Sequence, residues 1–234
     1  MNANALLSLR LIGDTVDHEA QHLNEEIIEN DLGSIPGGRV GLYILGVMAT
    51  CRNPKNFYEI NLLRSLHTKL GKYPQSGFDH PHQYSLAVMA LCSSGANIGK
   101  RRYLRNIIDR IAKELATVND TSSDTLAMQV LALSCVKTSM KRKEAKPLRK
   151  KAEVAIHLAT SELLKRQMND STFGENEVTA ALASQVSRGG RGGRSLVALI
   201  ERAELPLRGL GPISVTCDVT FERTSRRALN RSHT

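Results

Sequence analysis

The chain has no tryptophan, and its aromatic residues make up only 4% of 234 positions. A core so poor in rings must be built from Leu, Ile, Val, Ala and Met, which suits close-packed helices better than sheets. No apolar run approaches the roughly 18 residues that mark a membrane-spanning helix. The opening, MNANALLSLRLIGDTVD, carries a short apolar patch followed at once by acids. It lacks the apolar core and small-residue cleavage site of a signal peptide, and read literally it describes a soluble intracellular protein. Catalytic signatures are missing as well: no G-x-S-x-G, no P-loop, no H-E-x-x-H and no paired C-x-x-C. The expectation is a protein that is not an enzyme.

What is present is a pattern written more than once. HPHQYSLAVMALC at 80–92 and SSDTLAMQVLALSC at 122–135 each begin polar, run apolar for a helix length and close on cysteine. GGRVGLYILGVMATC at 37–51 has the same shape. Cys51, Cys92 and Cys135 are thus spaced by 41 and 43 residues, a period that predicts stacked helical pairs. Amphipathic stretches separate these apolar helices: 56–70, 101–117, and about 152–167, with an earlier helix pair over 4–31. Ser34-Ile-Pro-Gly-Gly reads as a break and Gly71–Pro81 as a loop. A fourth apolar helix opens over Asn176–Gln185. Buried helices inside and one-faced helices outside predict an all-α fold, an incomplete α/α barrel or toroid of helical hairpins.

The charge divides the chain. Residues 1–185 hold 23 basic and 19 acidic residues, whereas 186–234 hold nine basic and four acidic ones, and all nine are Arg. The expected organisation is a partial barrel domain over 1–185 and an unrelated, disordered tail over 186–234. Arg188-Gly-Gly-Arg-Gly-Gly-Arg194 is one short copy of an RGG-like run with no aromatic interleaved, so nucleic-acid binding is disfavoured. KRKEAKPLRKK at 141–151 reads as a solvated linker. His80 and His82 lack a third ligand, so no metal site is expected.

The order and spacing of five segments resemble the cobalamin-carrier family of transcobalamin, intrinsic factor and haptocorrin. They are NALLSLRL at 4–11, GRVGLYILGVMATC at 38–51, HQYSLAVMALC at 82–92, SSDTLAMQVLALSC at 122–135 and LLKRQMNDSTFGENEVTAALASQ at 163–185. The resemblance implies an α6/α6 barrel that holds cobalamin against a smaller β-rich domain. It implies ligand contacts at His82, Gln83, Asp124, Asn176 and Thr179, at the polar openings of the inner helices. Gln, Asn, Thr and Asp suit the neutral amides around a corrin ring, because amides donate and accept. It also implies a Cys92–Cys135 disulfide, places the partner of Cys51 in the family part expected to be missing here, and gives Cys217 no role. Disulfides imply an oxidising compartment, so the resemblance points to a secreted, extracellular protein that delivers vitamin B12 to a cell-surface receptor.

Two departures stand out. Arg39 occupies the place of a ligand-facing Gln, and Thr121 falls where transcobalamin has a cobalt-ligating His. The likeness stops after Gln185, so the last helix pairs and the β-rich domain are expected to be absent, as from a mis-joined reading frame. Other α/α barrels, the terpene cyclases and prenyltransferases, use Trp-bearing repeats and aspartate- or zinc-rich centres that are not seen here. The competing readings are an α-solenoid interaction scaffold with a basic, RNA-contacting tail, and a carrier fragment without function.

Overall fold

The computed structural model describes residues 17–73, 77–78, 80–96, 101–115, 121–140 and 146–168, with Phe173, Thr179, Ala183 and Val186. Among the described residues seven helices are bounded, in order α1 (Asp17–Glu29), α2 (Gly37–Ala49), α3 (Leu62–Gly71), α4 (Pro81–Ser93), α5 (Arg101–Glu114), α6 (Ser123–Ser139) and α7 (Lys146–Lys165). No strand occurs among the described residues, so the fold is all-α.

The alternation of the sequence becomes two layers. The apolar helices α2, α4 and α6 lie side by side, with α4 packed on both others. The amphipathic α3, α5 and α7 pack behind them, and α5 also meets α7. The inner helices bury residues around their circumference; Val40, Ile44, Ala87, Ala90, Leu126 and Leu133 are all fully enclosed. On α5 the described side chains send one stripe inward, Ile107, Ile108 and Ile111, as a 3.6-residue period dictates.

Small residues set the spacing. A Cβ on Gly41 would stand 2.9 Å from the Ala87 Cα, so α2 and α4 meet backbone to backbone. A Cβ on Gly38 would stand 2.8 Å from the Gln83 Cβ, which puts the starts of α2 and α4 together. The Cys92–Cys135 disulfide joins the far ends of α4 and α6, with Cα atoms 6.1 Å apart. The three inner helices therefore run parallel.

The structure departs from the sequence reading at three places. Gly37 and Gly38, read as part of a break, form the first turn of α2. They can do so because Phe78 and Gln83 fill the space where their side chains would be. Residues 56–61, read as helix, make a tight turn instead. Phe57 and Ile60 exchange backbone bonds of 3.0 and 2.9 Å, while Tyr58 and Glu59 take positive φ of 46° and 69°. Two successive residues in that conformation reverse the chain and exclude a helix. Helix α3 starts only after Asn61, whose side chain accepts from the Arg64 N–H at 2.9 Å. Last, much of the basic stretch read as a linker is the start of α7. Pro147 is tolerated in a first turn, and Lys151 pairs with Asp109 of α5 at 2.7 Å.

Candidate functional site

Because α2, α4 and α6 are parallel, their polar openings converge at one end. Helices α4 and α6 are each capped by a neighbour of the predicted residues, whereas Pro36 before α2 makes no side-chain cap. The His80 ring accepts from the His82 N–H at 3.2 Å and caps α4, with Pro81 in the first turn. Ser122 caps α6 by accepting from the Thr125 N–H at 3.3 Å. That division of labour matters for Asp124, which could have served as the cap itself. With Ser122 in that role, the Asp124 carboxylate points to another partner and accepts from the Thr179 hydroxyl, 55 residues further along.

Asp124, Thr179 and His82 thus form one cluster. Thr179 is buried and lies in helical backbone with buried Ala183 and Val186 behind it, at helical spacing. His82 is half-buried and feels the charges of both Asp124 and His80. Burial lowers its imidazole from the ordinary value, the His80 charge adds to that, and Asp124 partly opposes it. Its neutral form is therefore favoured. Gln83 stands beside Gly38 at the start of α2. The structure brings His82, Asp124 and Thr179 together and sets Gln83 against α2. Asn176 lies outside the described residues, as do Cys217 and the Arg188–Arg194 run.

Arg39, at the first turn of α2, is exposed and turned toward α1. Its charge acts on the Tyr43 hydroxyl, which donates to Glu26 at 2.5 Å. Burial and the Glu26 carboxylate push the Tyr43 phenol well above its usual range. Arg39 thereby belongs to the α1–α2 contact.

Sequence reasoning missed a second polar group at the same end. Helix α5 runs against the inner helices, so its last residue, Glu114, reaches the rim. Glu114 accepts from Arg110 at 3.1 Å and from the fully buried Gln129 of α6 at 3.3 Å. Burial raises its carboxyl above the ordinary value, against the pull of Arg110, Gln129 and His80. The Arg110 guanidinium lies 3.4 Å from the Tyr73 ring centroid, and Tyr73, Phe78 and Tyr84 pack edge-to-face or tilted with centroids 4.8–5.8 Å apart. Three of the chain's nine Phe and Tyr residues thus pack in one place behind the rim. The one available signal was Gln129, a polar residue inside an otherwise apolar repeat.

At the opposite end the Cys92–Cys135 bond implied by the resemblance is present, with Cys92 Sγ 3.2 Å from Ser139 Oγ. Cys51 is disulfide-bonded as well, with a partner outside the described residues. Among the described residues no helix is long and apolar enough to cross a membrane.

An all-helical scaffold of parallel helices, opening on one rim of amide, hydroxyl, imidazole and carboxylate groups, has the features of a small-molecule binding protein. The chain belongs to the eukaryotic cobalamin-binding protein family, whose family model matches residues 1–186. Among curated proteins it is similar to human Transcobalamin-1, at 29% identity over 149 residues covering 58% of this chain and 34% of that protein. It is also similar to the uncharacterized protein CG3556 of Drosophila melanogaster, at 31% identity over 100 residues covering 43% of this chain and 15% of that protein. The chain thus spans about a third or less of the length of these relatives.

Proposed function

We propose that this chain binds cobalamin at the rim and carries it without chemical change. His82, Gln83, Asp124 and Thr179 are the contacts, with Asn176 as a further one from outside the described residues. The observation that carries this reading is the Asp124–Thr179–His82 cluster, which joins the openings of α4 and α6 to a residue 55 positions after Asp124. Cobalamin presents neutral amides around its ring. A neutral imidazole, a glutamine amide and a threonine hydroxyl match donors and acceptors there, and Asp124 accepts from amide N–H groups.

Several finer points belong to the same reading. The two layers are an arc of an α/α toroid, residues 1–185 form the ligand-binding domain, and 186–234 form a separate tail. The disulfides suit an oxidising, extracellular setting, from which the carrier would deliver its cargo to a cell-surface receptor.

The test is a titration of cobalamin with micromolar full-length chain, followed by corrin absorbance and equilibrium dialysis. Saturable retention is expected, weakened about tenfold or more by Asp124→Ala, since hydrogen bonds to a charged group are worth about 1.5–3 kcal/mol. If cobalamin passes the membrane as freely as it does with buffer alone, the carrier function is wrong for this chain.

A further inference from the structure

A second candidate site is lined by none of the proposed cobalamin contacts. A cleft of about 490 Å³ opens between α3 and the turn that joins α1 to α2. That volume falls in the range of about 300–1,000 Å³ common to small-molecule sites. Its lining includes Arg64, Lys69 and Lys72 with the hydroxyl residues Ser65 and Thr68, and no carboxylate.

The three cations are held differently. Lys69 Nζ donates to the Gly33 carbonyl at 2.8 Å, which fixes its ammonium against the turn. Burial lowers its proton affinity, Asp31 partly restores it, and the neighbouring Lys72 charge lowers it further. Arg64 and Lys72 are exposed and make no ion pair among the described residues. Thr68 Oγ1 already donates to the Arg64 carbonyl at 3.0 Å, so toward the cleft it offers lone pairs; Ser65 can donate or accept.

We propose that this cleft binds a sugar bearing an oxyanion ester, sulfate or phosphate, with Arg64 and Lys72 holding the oxyanion while Ser65 and Thr68 bond ring hydroxyls. Arg64 supplies a planar fork that matches two ester oxygens, and Lys72 supplies a point charge beside it. Leu32 adds an apolar contact at the turn side. The site does not depend on cobalamin binding.

The experiment is calorimetric titration of the full chain with a sulfated heparin disaccharide, with glucose 6-phosphate and with inorganic sulfate. The expected result is saturable binding of at least one sugar ester, tighter than inorganic sulfate; the better of the two identifies the ester. Arg64→Gln with Lys72→Gln should weaken it at least about tenfold, given what charged hydrogen bonds contribute. Lys113→Gln with Lys150→Gln removes the same charge from exposed positions on α5 and α7 and should leave it within about twofold. Equal weakening by both pairs would mean that net charge alone attracts the anion, and the proposal would be wrong. It would be equally wrong if neither sugar ester saturates, or if inorganic sulfate binds as tightly as both.

Discussion

Gly41→Ala adds one methyl group where α2 and α4 are closest. The new Cβ would stand 2.9 Å from the Ala87 Cα and 3.3 Å from its nitrogen. Carbon atoms pack at about 3.5–4.0 Å, so the two helices must part by roughly 0.6 Å or more. The obstructing atoms are backbone within a helix and cannot rotate away. Overpacking of this kind costs about 1–3 kcal/mol, while removing a glycine from a helix returns about 1 kcal/mol. The net expectation is a loss of up to about 2 kcal/mol. Gly71→Ala is the matched control, because nothing lies within 4 Å of its added Cβ. There only the conformational gain remains, about 0.5–1 kcal/mol of stabilisation. Urea unfolding followed by circular dichroism should move the two midpoints in opposite directions. A Gly41→Ala protein stabilised as much as the Gly71→Ala control would refute the backbone-to-backbone contact. Gln83 lies one turn before Ala87, so the same substitution should also loosen its fit against Gly38.

Two further outcomes are open to measurement. Replacing Cys92 and Cys135 with alanine should lower stability by up to about 4 kcal/mol, from the loop entropy of a 43-residue closure, and an unchanged urea midpoint would contradict it. For His82, the folded state favours the neutral ring, so its contribution is present above the ordinary value of 6.5 and is lost as pH falls below it. Glu114 acts with opposite sign, since its raised carboxyl takes up a proton more readily folded than unfolded. His82→Gln should therefore flatten the loss of stability between about pH 7 and 5, and a slope identical to the parent's would remove His82 as its source.

Much of this architecture is legible in the sequence because it rests on strong, local signals. The uniformly apolar runs at 41–50, 84–92 and 125–136 could only be buried helices, and their repeat placed the polar openings together. The pairing of Asp124 with Thr179 is of another kind: neither residue type announces a partner 55 positions away. Only the choice of Ser122 as cap, two positions before Asp124, leaves the carboxylate available. The turn at 57–60 was hidden because Tyr58 and Glu59 carry no glycine signal for their positive φ. Gly37 and Gly38 misled in the opposite sense, since their function is to admit Phe78 and Gln83. For the Glu114–Gln129 bond, Gln129 hinted at a polar partner but not at which one, because the bond joins the end of an outer helix to the middle of an inner one.

The Cys92–Cys135 bond sits at the end of α4 and α6 remote from the rim. The pair behaves mechanically like tweezers with a welded base. Sideways strain between these helices cannot separate their closed ends, so any opening appears as splay of the tips that carry His82 and Asp124. Their separation is set by Asp124, Thr179 and packing alone, which leaves the jaws compliant while the pivot stays fixed.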